Sequence, residues 1–478
     1  MLKSRRRTSP VVVEALEPRA LLAVVLPFEV RLYRDLNMNG RRDVGEGALQ
    51  GWTVGGQMHD EAGAGYDAIA TTNADGIARL TDCAPDDFFS HTAIARIARS
   101  RGYWCTSIAP STGDEWTVDA TWFSGDNAKK RVDVGLSDRV IVTGKVNNRF
   151  SLASDEPGAA HVTRLALRRV YDDVNDNGRF DDATDPSTLT DLEGNYRLKL
   201  KAGDHNLRVE LSDEWKSVTS KGTSNSLSLT FTEDARSVRG PDFNATLRDP
   251  AVIDLAIGYT SAAADGRDAD EMRDLVRDLV ADANRPYANS DTNVKLDLVA
   301  AQETSYHESG KIDRDLDRLQ DDNDGYADDV SELREASDAD LAILLSSSDR
   351  TDGGLIGLAY EFAGSKGNSN LGFAVIALQQ DADEDSITLA HEVGHTLGAN
   401  HDSANTDGDV IEAYAHGYAF VGTDGSRYQD VMSYGNGQVL PFFSSPNYAW
   451  AGKPIGRKDV ADNSRIIEEL GSVVAEYR

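Results

Sequence analysis

His391-Glu392-Val393-Gly394-His395-Thr396-Leu397-Gly398-Ala399-Asn400-His401-Asp402 follows the pattern H-E-x-x-H-x-x-G-x-x-H-D. On a helix, residues four apart stack on one face, so His391 and His395 can offer two imidazole nitrogens to a single cation. Glu392 stands beside the first ligand and reaches a water on that cation rather than the cation itself. Gly398 admits a left-handed backbone that most side chains disfavour. The chain can therefore leave the helix there and bring His401 back as a third ligand. Three protein ligands leave the fourth tetrahedral position open to water, the arrangement of catalytic zinc rather than of structural zinc. The glycine and third histidine at fixed offsets make the pattern far more specific than H-E-x-x-H alone.

Strands and helices alternate around this segment from Asp249-Pro250 onward. Ile253–Tyr259 alternates as a strand. Residues 268–285 place Met272, Leu275, Val276, Leu279, Val280 and Ala283 on one helical face, with an end expected before Pro286. Strands are expected at Val294–Val299, Asp340–Leu345 and Gly372–Leu378. A closing helix carries Ile466, Ile467, Leu470, Val473, Val474 and Tyr477. This order predicts an α/β layer with the histidine helix packed on a sheet. Gln320–Tyr326 resembles a calcium loop but opens on Gln320, and we read it as a structural turn.

The half before Asp249 reads as all-β. Phe28–Tyr33 alternates and runs into Asp35-x-Asn37-x-Asn39-Gly40-Arg41-x-Asp43-x-x-Glu46. This is a twelve-residue calcium loop, with Arg41 at the backbone-carbonyl position and Glu46 able to close the shell with two oxygens. A second loop, Asp173-x-Asn175-x-Asn177-Gly178-x-x-Asp181, follows the apparent strand Leu165–Tyr171. There Thr184 holds position 12, with Asp182 and Asp185 beside it, so the two-oxygen closure of the first loop is not matched. Each loop precedes a turn and strand, Thr72–Ile77 and Thr190–Tyr196.

The chain has 478 residues and a net charge of −31, which argues against nucleic acid and anionic membranes as partners. No stretch approaches the ~18 apolar residues of a membrane span. Its two cysteines, Cys83 and Cys105, fit either an extracellular disulfide or two buried thiols. Residues 1–27 join a basic cluster to a short apolar run, as a targeting segment does. The domains expected are this segment, two β-sandwich modules at 28–136 and 137–248, and an α/β catalytic domain at 249–478.

Several of these segments resemble known families. Leu16–Ala23 is similar to the export segment of many planctomycete proteins. Residues 28–136 and 137–248 resemble the calcium-stiffened B-type repeats of bacterial surface adhesins. The histidine motif, with the methionine turn Asp430-Val-Met432-Ser-Tyr434, resembles the metzincin clan of zinc peptidases. Asp402 after the third histidine is similar to the adamalysin/reprolysin branch, where astacins carry Glu and matrixins Ser. Within that branch, residues 250–478 resemble bacterial peptidyl-Asp metallopeptidases through strings such as Tyr414-Ala-His-Gly-Tyr418, Phe443–Pro446 and Gly452–Gly456. Adamalysins usually carry disulfides in this domain, and this one has no cysteine.

The resemblance implies a fold of two β-sandwich modules followed by a metzincin domain, secreted or held at the cell surface. Zinc would be bound by His391, His395 and His401, with Glu392 as general base. Met432 would form the floor beneath the histidines and Asp402 would anchor the loop; Tyr434, which adamalysins generally lack, resembles the tyrosine of astacin- and serralysin-type turns and would send its hydroxyl toward the metal. The β modules would bind structural calcium and provide attachment to matrix or cell surface; substrates would be proteins or peptides. The alternatives are a calcium-dependent adhesion protein with a vestigial peptidase domain, and an inhibitory prosegment at 28–248 in which Cys83 caps the zinc.

Overall fold

The computed structural model describes residues 28–59, 65–80, 90–98, 102–107, 115–123, 131–218, 226–347, 355–363, 368–406 and 410–477. The targeting segment at 1–27 and Cys83 lie outside them; Cys105 is buried. The chain divides into two compact units. One runs to Val140 and takes in Thr232–Arg236, and the other consists of Ile141–Phe231 and Ser237–Arg478. The second β region and the α/β region therefore share a unit, so residue 249 marks a change of architecture within it.

The first unit holds two four-stranded sheets. In one, Phe28–Arg34 lies between Ile77–Leu80 and Arg131–Ser137, with Trp104–Cys105 beyond. The other has the order Gly65–Thr71, Thr53–His59, Ser90–Ala98, Glu115–Phe123. Alternate residues of a strand face opposite sides. Phe28, Val30 and Leu32 of one sheet thus meet Val54, Ile97 and Trp116 of the other in one core.

The second β region repeats a local arrangement of the first. Leu49 N donates to Leu32 O, Thr72 Oγ1 to Leu49 O and Trp52 N to Thr72 Oγ1. Likewise Leu165 N donates to Val146 O, Thr190 Oγ1 to Leu165 O and Arg168 N to Thr190 Oγ1. Leu49 thus corresponds to Leu165, and Trp52 to Arg168. The two acidic loops do not correspond, since the first precedes Leu49 and the second follows Arg168. The expected strand Leu165–Tyr171 is also corrected. Leu165–Arg168 forms a turn with Leu167 at φ +57°, and the strand is Arg169–Asp172. Apolar alternation alone cannot separate a strand from a buried turn whose side chains pack elsewhere.

In the α/β region, five strands run in the order Val294–Glu303, Ala251–Tyr259, Leu341–Ser347, Phe373–Leu378, Gly357–Ala359. The first four are parallel and the last is an antiparallel edge. Parallel strands covered on both faces are apolar throughout. Ile343 and Leu345 face the core under helices Ala269–Asn289, Ala382–Thr396 and Asn463–Val474. Ala342 and Leu344 face the core under helices Ile312–Gln320 and Asp328–Ala336. Of the expected turn Gln320–Tyr326, Gln320 ends the first of those last two helices and Asp321–Tyr326 lies in the turn between them.

The long helix does not stop before Pro286 but continues to Asn289. Proline removes one helical hydrogen bond, to the carbonyl of Asp282, and that residue is exposed to water. Beyond it Tyr287, Ala288 and Asn289 are all buried, and that packing outweighs the break.

The strand residue Gly258 packs tightly against a helix, since a Cβ there would stand 2.4 Å from Val330 Cγ2. Gly258→Ala is expected to destabilise the fold by about 1–3 kcal/mol, with part of that recovered by adding Val330→Ala. Urea unfolding of the single and double variants measures both.

Candidate metal centre

Helix Ala382–Thr396 starts at Asp381, whose side chain caps the amides of Asp383 and Glu384, and it buries His391, Glu392 and His395. The helix lies close on its support because residue 394 is glycine. A Cβ there would stand 3.1 Å from both Met432 Sδ and Phe443 Cε1. Gly398 then turns the chain at φ +85°, where a Cβ would stand 2.7 Å from Leu470.

The turn brings the third imidazole to the first two. The three Nε2 atoms are 3.2 Å (His391–His395), 3.1 Å (His391–His401) and 3.0 Å (His395–His401) apart. Among the described residues, this is the one group of three or more His, Cys, Asp or Glu ligand atoms gathered within 4.8 Å. His391 Nδ1 lies 2.8 Å from Val431 O and His395 Nδ1 3.1 Å from Ala399 O. A carbonyl can only accept, so both Nδ1 atoms carry hydrogen and both Nε2 atoms present lone pairs.

Lone pairs facing one another at this distance call for a positive centre among them. Two nitrogens about 2.0–2.1 Å from a tetrahedral zinc would be roughly 3.3 Å apart, close to the spacing found. The three residues fit the metal. Burial holds His391 at about 4 and His395 well below the usual imidazole range, which keeps both neutral as ligands must be. Burial pushes Glu392 up to about 8, and a cation beside it would lower that again.

The remaining expected residues surround this centre. Met432 is fully buried beneath the helix. Asp402 does not enter the group of nitrogens. Its oxygens accept from Asn405 Nδ2 at 2.8–2.9 Å and from Tyr434 N at 3.1 Å, linking the third-ligand loop to the methionine turn. The Tyr434 hydroxyl lies 3.1 Å from His401 Nε2, and its ring is half exposed. Asp430, quoted in the sequence only as the start of the methionine turn and given no role there, is buried and holds the turn through Ser433 Oγ and Ser444 N. Burial raises it to about 7. Another residue without a sequence signal is Gly357 on the edge strand, where a Cβ would stand 2.2 Å from Glu392 Oε1.

The two acidic loops close in parallel ways. Asp35 accepts from the amides of Asn39 and Gly40, and Asn37 and Asn39 donate side-chain amides to Asp43. Arg41 N donates to Asn39 Oδ1. Glu46 accepts from Leu36 N and Asp43 N, both at 2.9 Å. In the second loop Asp173, Asn175, Asn177 and Asp181 repeat these contacts. Asp185 accepts from Val174 N and Asp181 N, so it occupies the place of Glu46 with a shorter side chain one residue later. One difference remains. Arg208 Nε lies 2.6 Å from Asp173, whereas among the described residues no cation pairs with Asp35.

Residues 249–458 match the family model described as Metallo-peptidase family M12B Reprolysin-like. Over this region the chain is similar to the reprolysin-like metallopeptidases, a family that implies zinc, and the three histidines are a group that can hold a metal ion. The chain is 32% identical over 232 residues to a peptidyl-Asp metalloendopeptidase of Stenotrophomonas maltophilia, covering 48% of this chain and 53% of that protein. It is 29% identical over 237 residues to the protein of that name from Xanthomonas campestris pv. campestris, covering 49% and 54%. The chain thus spans about half the length of the curated relatives it matches.

Gly398→Ala would force a side chain into a left-handed turn and against Leu470, moving His401. Zinc affinity is expected to fall about 10–100-fold, the cost typical of disturbing a ligand's support, as read by competition with a chelator.

Proposed function

We propose that this chain is a zinc-dependent endopeptidase of the metzincin type, secreted or held at the cell surface. The observation that carries this reading is the convergence of three imidazole nitrogens beside a buried glutamate on one helix. Bound zinc supplies a Lewis acid that makes water a nucleophile near neutral pH. Glu392 takes the proton of the attacking water and returns it to the departing amine. Tyr434, with its hydroxyl already at His401, donates a hydrogen bond to the oxyanion that develops on the carbonyl. The edge strand Gly357–Ala359 has one side unpaired among the described residues and lies against Glu392, so an extended peptide can add to it as a further strand. The name of the relatives makes peptide bonds at aspartate the first substrates to test.

Incubation with a peptide library, with cleavage sites read by mass spectrometry, tests the activity. Cleavage that a chelator abolishes and zinc restores supports it; cleavage indifferent to chelator contradicts it. Glu392→Gln is expected to keep one zinc per chain and to lose about 10²–10⁴-fold in turnover. Activity within tenfold of the unaltered chain would remove Glu392 from the role of base.

The β regions, in this proposal, are calcium-stiffened sandwich modules that hold the peptidase on matrix or cell surface. Asp35, Asn37, Asn39, Asp43, Glu46 and the Arg41 carbonyl would bind one ion; Asp173, Asn175, Asn177, Asp181 and Asp185 would bind a second. Arg208 already neutralises Asp173, which weakens the second site. Hydrogen exchange of the full chain should show calcium protecting residues 35–46 more strongly than 173–185. Arg208→Gln should bring the second loop up to the first, and equal protection without that change would refute the assignment.

A further inference from the structure

The turn Leu165–Arg168 is built differently from its counterpart in the first β region, although both make the same backbone hydrogen bonds. Gly51 N donates to Thr72 O, and Leu167 N donates to Thr190 O. Gly51 holds φ +83° without strain, but Leu167 holds φ +57° with a full side chain. Trp52 is half-buried, whereas its counterpart Arg168 is 4% exposed. A strained backbone and a buried charge persist where surrounding contacts compensate them.

Both compensations come from the peptidase region. Leu167 packs on the cluster in which Ala166 and Leu192 meet Leu440, Phe442 and Ile455. Arg168 Nη2 lies 2.6 Å from Asp291 Oδ1 and 2.8 Å from Ala288 O, and its Nη1 donates to the Tyr448 hydroxyl. Trp215 Nε1 donates to the same Asp291 oxygen. Ala166 N donates to Asn289 Oδ1 at 2.9 Å, and Asn289 Nδ2 donates to Pro441 O at 2.9 Å.

The segment gripped in this way leads to the histidines. Phe443 N donates to Ser290 Oγ, and Val431 N donates to Phe442 O at 2.9 Å. The carbonyl of Val431 is the acceptor that fixes the tautomer of His391. The contacts thus run from Ala166 through the Asn289 side chain to Pro441, along the backbone to Phe442, and across to Val431, whose carbonyl holds His391.

We propose that the second β region is an integral part of the metal centre's support, and that Leu167 and Arg168 are positioning residues which, through Pro441–Phe443 and Val431, hold His391 ready for the metal. This goes beyond tethering by the β modules, and its zinc arm rests on the zinc reading above.

The test uses the full chain with Arg168→Met and, separately, Leu167→Gly. The second variant restores the glycine of the first region and relieves the backbone, so it folds while losing the docking side chain. In the metal-free protein, hydrogen exchange at Val431 and Phe443 is expected to quicken about tenfold in both variants, with Val30 of the first unit unchanged. Zinc affinity, from chelator competition well below the unfolding temperature, is expected to drop about tenfold, the low end for a ligand's support. Unchanged exchange at Val431 and Phe443 would overturn the proposal. So would faster exchange with zinc affinity within twofold of the unaltered chain, since the docking would then be structural only. If the unaltered chain takes up no zinc, the zinc reading fails, and exchange at Val431 still decides whether the β region supports the acceptor of His391.

Discussion

Three imidazole nitrogens held within 3.2 Å of one another make up the constraint on which the rest of this region depends. Left to themselves they would turn apart, so every ring must be held from behind. The carbonyls of Val431 and Ala399 do this for His391 and His395, and the surrounding burial keeps both rings uncharged. A metal ligand's second nitrogen is routinely fixed in this way, and its partner matters almost as much as the ligand itself.

Those carbonyls must in turn be placed, and most of the nearby packing serves that end. Gly394 lets the helix settle on Met432 and Phe443. Tyr287 donates from the neighbouring helix to the carbonyl of Ala390, one residue before the first ligand. Asp430 ties the methionine turn to Ser444. Asp402 joins that turn to the third-ligand loop through the amide of Tyr434. The region has no cysteine, and polar contacts between segments distant in sequence join these elements.

The gathering of His391, His395 and His401 was legible in the sequence because they lie within eleven positions, where helical periodicity and a glycine determine geometry almost without tertiary context. The alternation in Ile253–Tyr259 and the helical face at 268–285 were legible for the same local reason. What escaped depends on distant partners. Leu165–Tyr171 alternates like a strand, yet its first four residues form a turn that packs on Phe442 and Asp291. Pro286 signals a helix end that buried residues beyond it override. The β regions looked like one repeat carrying one loop. Their hydrogen bonds show a shared frame, with the loops inserted at different connections.

X-ray absorption at the zinc edge, on the full chain loaded with one equivalent of zinc, tests the central claim most directly. The account predicts a first shell with three imidazole nitrogens at about 2.0–2.1 Å, and loss of one imidazole in His401→Ala. A first shell dominated by carboxylate oxygens, or one unchanged by His401→Ala, would contradict it.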